Sequence, residues 1–130
     1  MERFTSDTHS LVWFFTKSPN LSPAARECFV KSEREEALII VPTIVLAETL
    51  YIKEKRKLIF DYDALIRTLR SSSNYVFYSF DFEVLRKLET LQRIPELHDR
   101  IITATALLTS SILITKDRLI TESGVVETIW

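Results

Sequence analysis

Residues 38–48 read Leu38-Ile39-Ile40-Val41-Pro42-Thr43-Ile44-Val45-Leu46-Ala47-Glu48, and the change of character within that run decides the fold class. Leu38–Val41 is a β-branched apolar run, too short for a helix and typical of a buried strand. Pro42-Thr43 then signs a helix start, because the N–H that proline lacks is one the first helical turn leaves unpaired anyway. From Thr43 to Lys57 the apolar spacing is helical. A buried strand therefore runs directly into a helix.

The same alternation extends in both directions. Tyr75–Tyr78 and Ile112–Thr115 read as buried strands, and Arg3–Ser6 as a first strand that the polar Thr5-Ser6 pair predicts to be short. Helical spacing covers His9–Phe15, Ser22–Arg34, Asp61–Ser71, Asp81–Leu91 and Asp99–Thr109. Ser22-Pro23, Pro42-Thr43, Asp61 and Asp81 mark starts where a side-chain oxygen can accept an orphan backbone N–H. No Asn-Gly or similar hairpin dipeptide interrupts the series. Strand–helix alternation without hairpins predicts an α/β protein: a mostly parallel sheet of four to five strands, layered between helices. An edge strand around Val125–Ile129 would complete it, with Trp130 packing on a helix or a partner. Ser71-Ser72-Ser73-Asn74 is the length of a loop rather than a domain boundary. The 130 residues, 46% hydrophobic, fit one domain spanning 1–130.

Composition narrows the chemistry. Seventeen Lys and Arg stand against eighteen Asp and Glu, so no overall field draws the chain to a polyanion, and any such ligand needs a local patch. The single cysteine, Cys28, cannot form an internal disulfide and reads as a buried thiol in a reducing cytoplasm. No signal peptide or membrane span is legible, since Leu38–Ala47 is broken by Pro42. Gly124 is the one glycine, which excludes Walker loops, dinucleotide fingerprints and the G-x-S-x-G elbow. The chemistry must be built from side chains.

In a parallel sheet, ligands bind beyond the carboxyl ends of the strands. Asp7 follows the first strand, Asp117 follows Ile112–Thr115, Asp99 opens the preceding helix, and Glu48 lies in the second turn after Leu38–Val41. Each has a structural alternative: Asp7 and Asp99 as helix N-caps, Asp117 as a turn residue, and Glu48 in a salt bridge to Lys116, Arg118 or Arg100. Asp81 meets the same positional test and reads as an N-cap. Glu48 is the most pointed of them, because the helix around it is apolar almost all round and an unpaired buried carboxylate is costly. Carboxylates brought together without cations repel one another, and a bound cation relieves this. All-oxygen donors suit Mg²⁺ or Mn²⁺, which polarise a phosphate, activate water and stabilise a leaving oxygen.

Four stretches together resemble the PIN domain family, specifically the VapC-type toxins of toxin–antitoxin pairs, over nearly the whole chain. They are Asp7-Thr8-His9-Ser10-Leu11-Val12-Trp13, then Val41-Pro42-Thr43 with Leu46-Ala47-Glu48, then Glu96-Leu97-His98-Asp99-Arg100-Ile101-Ile102-Thr103-Ala104-Thr105-Ala106-Leu107, and finally Ile114-Thr115-Lys116-Asp117-Arg118. The resemblance implies sheet order 3-2-1-4-5, metal-dependent ribonuclease activity on an RNA substrate, a cognate antitoxin, and a homodimer. It implies that Asp7, Glu48 and Asp99 bind Mg²⁺ or Mn²⁺, that Asp117 is the more variable fourth acid, and that Asp81 is only a cap. Thr8 and Thr115 fall beside these acids as supporting hydroxyls, and Arg100, Lys116 and Arg118 as charge balance or RNA contacts.

Other polar groups read as structural. His9 and His98, each beside an acid, read as packing or hydrogen-bonding groups with general base or metal ligand as the alternative, and Lys53, Lys55, Arg56 and Lys57 as a solvated helix end with an RNA track as the alternative. Trp13, Phe14 and Phe15 are consecutive on a helix and cannot all face the core, which leaves one side for a partner. Two rivals remain: a non-catalytic PIN-like module that only binds RNA or an antitoxin, and a phosphotransfer receiver, which needs paired acids after its first strand.

Overall fold

The computed structural model describes residues 1–130. Five strands, β1 (Glu2–Ser6), β2 (Ala37–Pro42), β3 (Tyr75–Tyr78), β4 (Ile112–Ile114) and β5 (Thr128–Ile129), form one sheet in the order β3-β2-β1-β4-β5. Every pairing is parallel. Helices α1 (Thr8–Phe15), α2 (Pro23–Glu33), α3 (Thr43–Glu54), α4 (Tyr62–Ser71), α5 (Phe82–Leu88), α6 (Leu97–Leu108) and α7 (Arg118–Ser123) supply the crossovers. The expected sandwich and strand order are thus present. A receiver-type doubly wound sheet runs 2-1-3-4-5, so the observed order removes that rival.

β1 is central and complete, against the expectation of a short strand. Thr5 and Ser6 are fully buried, and their hydroxyls are satisfied: Thr5 Oγ1 lies 2.6 Å from Ser111 Oγ, and Ser6 Oγ donates to the Asp7 carbonyl at 2.8 Å. A buried hydroxyl with a partner costs little, so polarity did not fray the strand. Phe4, Phe29, Ile39, Val41, Leu65, Leu113 and Ile114 form the centre of the main core.

Three of the four proposed helix starts are capped by side chains, with Ser22 accepting from Ala25 N–H, Asp61 from Ala64 and Asp81 from Val84. At α3 no side chain caps the helix. Thr43 Oγ1 instead accepts the Phe80 N–H at 3.2 Å, tying α3 to the end of β3. The helix α7 was not anticipated. Its N-cap is Asp117, and Gly124 at φ +70° ends it in the left-handed conformation that glycine adopts without strain. The tail strand is shorter than expected, confined to Thr128–Ile129.

The core takes Trp13 fully and Phe14 and Phe15 in part. Trp13 is buried, Phe14 stacks on Phe29 at 4.5 Å between ring centroids, and Phe15 packs partly against the same core. The other side of α1 receives Trp130, whose ring meets Trp13 edge-on at 6.0 Å. No helix is long and apolar enough to cross a membrane.

Candidate active site

The chain winds outward from β1 through β2 to β3, then returns to place β4 on the opposite side of β1. This reversal makes a crevice beyond the carboxyl ends of β1 and β4, the place where such sheets bind ligands. Backbone and side chain both seal its floor: Asp7 N–H donates to the Ile114 carbonyl at 3.3 Å, as does Ser10 Oγ at the same distance. The crevice is an open cleft of about 1000 Å³, and Asp7, Glu48, Asp99 and Asp117 all line it.

Each acid is held differently. Asp7 caps α1 by accepting from Ser10 N–H at 2.9 Å. Burial pushes its carboxyl up from the usual range, against hydrogen bonds from Ser10 and Thr115 and the nearby His9. Asp117 likewise caps α7 through Ile120 N–H at 2.9 Å, so it is a helix cap rather than a turn residue. Its own N–H donates to Thr115 Oγ1 at 3.1 Å, which places that buried hydroxyl between Asp7 and Asp117.

Glu48 forms no salt bridge, and the apolar surroundings do not bury it, since α3 leaves Leu50 and Tyr51 exposed and Glu48 itself half-buried. Its Oε1 accepts from the Thr8 hydroxyl at 2.6 Å, a short bond of the charge-assisted kind. Asp99 is not the cap of α6. That role belongs to Glu96, whose Oε2 accepts Asp99 N–H at 2.7 Å while its Oε1 meets His98 Nδ1 at 2.6 Å. The Asp99 carboxylate therefore accepts no hydrogen bond from the protein. Its pKa is pushed up to about 6 by burial first, then by the charges of Glu96, Asp117, Glu48 and Asp7.

None of the four acids has a basic side chain within salt-bridge reach. Of the cations considered beside them, Lys116 lines the cleft, its ammonium 4.8 Å from the centre of the Trp13 ring. Arg118 turns outward to Glu122 at 3.1 Å, and Arg100 donates its Nε to the Ile94 carbonyl, bracing the loop before α6. Neither lines the cleft. His9, Tyr51, Lys57, His98 and Trp130 do. Sequence spacing carried a signal for Tyr51, three residues after Glu48 and hence on the same helix face. Lys57 was expected at the end of a helix running from Thr43, but α3 stops at Glu54, and Lys57 reaches the cleft from beyond it.

No three of the acidic and histidine side chains stand close enough to form a ready-made metal cage. The donor set is nonetheless all-oxygen and without countercharge, which fits Mg²⁺ or Mn²⁺. Mg²⁺ commonly keeps several waters and takes only one or two carboxylates directly.

The fold and cleft define a doubly wound α/β protein with its carboxylates crowded at the topological switch point. The chain belongs to the PIN domain family, whose sequence profile matches residues 6–123. Among solved structures it is similar to VapBC2 from Rickettsia felis bound to a DNA fragment from its promoter, with a TM-score of 0.74 at 16% identity, covering 98% of this chain and 97% of that one. A toxin–antitoxin complex from Klebsiella pneumoniae matches with a TM-score of 0.61 at 19% identity, over 100% and 97% of the two chains. VapBC-1 from nontypeable Haemophilus influenzae matches at 0.60 and 14% identity, over 98% and 96%. At these identities the likeness is one of fold. Comparison with curated protein sequences finds no match.

Proposed function

We propose that this protein is a metal-dependent endoribonuclease of the VapC type, the toxin of a toxin–antitoxin pair. The observation that carries the reading is the gathering of Asp7, Glu48, Asp99 and Asp117 around one cleft with no basic partner. Bound there, Mg²⁺ or Mn²⁺ would supply positive charge to the phosphate and lower the pKa of the attacking water.

The protein's own groups set the geometry. Thr8 holds Glu48 through Oε1, while Ser10 N–H and Thr115 hold Asp7 at the floor. Ile120 N–H fixes Asp117. Asp99, free of protein hydrogen bonds, keeps both oxygens for ligand or water. Lys116, exposed at the cleft and anchored on Trp13, attracts the phosphate as a point charge.

A cognate antitoxin as partner is supported by the toxin–antitoxin complexes among the structural relatives. The homodimer belongs to the same reading through the family resemblance. A reducing cytoplasm suits the buried, unpaired Cys28, whose thiol burial pushes up to about 11.

The test is cleavage of a mixed-sequence RNA. Wild type is expected to cut it internally with Mg²⁺ or Mn²⁺ and to stop in excess chelator, while folded Asp7→Asn is inactive. Undiminished cleavage by Asp7→Asn, or by wild type in chelator, overturns the mechanism. RNA bound but never cut identifies a non-catalytic binding module instead.

A further inference from the structure

We propose that Tyr51 is a stacking platform for an unpaired base beside the scissile phosphate, with Lys57 gripping the adjoining phosphate. This rests on the nuclease reading of the same cleft.

The face of α3 toward the cleft carries Ile44, Ala47, Glu48, Tyr51 and Ile52. These positions recur at three- and four-residue spacing, so the stripe is one continuous surface. Tyr51 stands one helical turn beyond Glu48, its Cβ roughly 5–6 Å away. That offset is within the reach of a single nucleotide extending from a phosphate held among the acids.

Tyr51 is 54% exposed, so its ring is open to solvent at a cleft whose wall there is the apolar Ile44, Ala47 and Ile52. The central ring of the cleft, Trp13, is already covered. Trp13 is only 8% exposed, and it carries Lys116 at 4.8 Å, His9 at 5.3 Å and the edge of Trp130 at 6.0 Å. Against Tyr51 the protein sets only the Lys55 ammonium, 5.3 Å from the ring centre. A cation on one face leaves the opposite face for a base, and no other ring stacks there.

Lys57 completes the arrangement. It is exposed, lines the same cleft beyond the end of α3, and has no carboxylate partner. An ammonium and an exposed ring lining one cleft are the combination by which proteins hold single strands: the ring takes the base face and the cation tracks the backbone. A base inside a duplex has both faces covered by its neighbours and cannot use the ring.

The experiment uses the full chain with Ca²⁺ replacing Mg²⁺ and short RNA carrying 2-aminopurine, whose fluorescence is quenched on stacking. Wild type is expected to quench the single-stranded probe and to bind a fully paired version at least tenfold more weakly. Tyr51→Ala is expected to abolish the quenching and weaken binding by about 5- to 100-fold, while Tyr51→Phe retains both. Lys57→Ala is expected to lower the salt dependence of binding by about one released counterion. A single-stranded DNA probe of the same sequence separates platform from sugar recognition, and stacking alone predicts that it quenches too.

Equal quenching and affinity in Tyr51→Ala and wild type overturn the platform, as does equal affinity for single-stranded and paired probes. Failure of the nuclease reading looks different: quenching that Tyr51→Ala removes, together with no Mg²⁺- or Mn²⁺-dependent cleavage. Conversely, cleavage by wild type with no effect of Tyr51→Ala on binding or on kcat/KM removes the platform alone.

Discussion

Asp99→Asn should stabilise the metal-free protein, because burial and the surrounding acids disfavour the Asp99 carboxylate and no hydrogen bond from the protein compensates it. Its carboxyl is pushed up to about 6 from 3.8, first by burial and then by Glu96, Asp117, Glu48 and Asp7. A difference of about 2.2 pKa units corresponds to about 3 kcal/mol at 1.36 kcal/mol per unit. The group is half-exposed, and solvent screening reduces that ceiling to about 1–1.5 kcal/mol. Because the folded pKa lies above the unfolded one, the folded state holds the proton more tightly. Stability from this group is full below about pH 4 and is lost as pH rises through about 6. Asparagine keeps the shape, carries no charge and gives up no hydrogen bond, since the carboxylate accepts none.

Thermal denaturation in chelator at several pH values measures the effect. At pH 4 the two proteins should melt together; by pH 7 the variant should melt about 3–6 °C higher. Adding Mg²⁺ should reverse the order, raising wild type by about 2.7 kcal/mol at a hundredfold excess over its Kd and leaving Asp99→Asn nearly unmoved. A gap that does not change with pH, or equal stabilisation of both proteins by Mg²⁺, refutes the reasoning.

Removal of the hydroxyl in Thr8→Val unties Glu48 Oε1 and should lower Mg²⁺-dependent cleavage about 10- to 100-fold, with circular dichroism unchanged; full activity would show that Glu48 needs no anchor. Glu35, exposed after α2 at φ +62°, pays for a left-handed backbone that glycine adopts freely, so Glu35→Gly should raise stability by about 0.5–1 kcal/mol in urea titration. Phe29 is fully buried and stacked on Phe14, so Phe29→Ala should cost about 3–5 kcal/mol, read as a lower urea midpoint.

The layered fold was legible because its elements carry their own local signals. Tyr75–Tyr78 was bounded correctly but is not the buried strand expected, since it lies at the sheet edge with Val76 and Phe77 exposed; Ser22, Asp61 and Asp81 proved to be the caps they resembled. α7 escaped because a six-residue helix is too short for periodicity, although Asp117 and Gly124 marked both of its ends. The polar Thr5-Ser6 pair misled because its hydroxyl partners, Ser111 and a local carbonyl, emerge only in three dimensions.

The acids' common edge followed from strand–helix alternation, but their ranking did not. Glu48 looked buried from its neighbours, whereas the structure half-exposes it, and it is the carboxyls of Asp7 and Asp99 that burial pushes up. Arg100 and Arg118, adjacent in sequence to two acids, turn away to Ile94 and Glu122. Lys57 enters the cleft from beyond a helix end. Neighbourhood along the chain does not give side-chain direction, and that is what was missing.

Mn²⁺ binding, measured by electron paramagnetic resonance on wild type and on the single variants Asp7→Asn, Glu48→Gln, Asp99→Asn and Asp117→Asn, bears most directly on the carboxylate cleft. The account predicts saturable Mn²⁺ binding by wild type, strongly weakened in the first three variants and less so in Asp117→Asn. No binding by wild type, or binding unchanged in Asp7→Asn and Asp99→Asn, would contradict it.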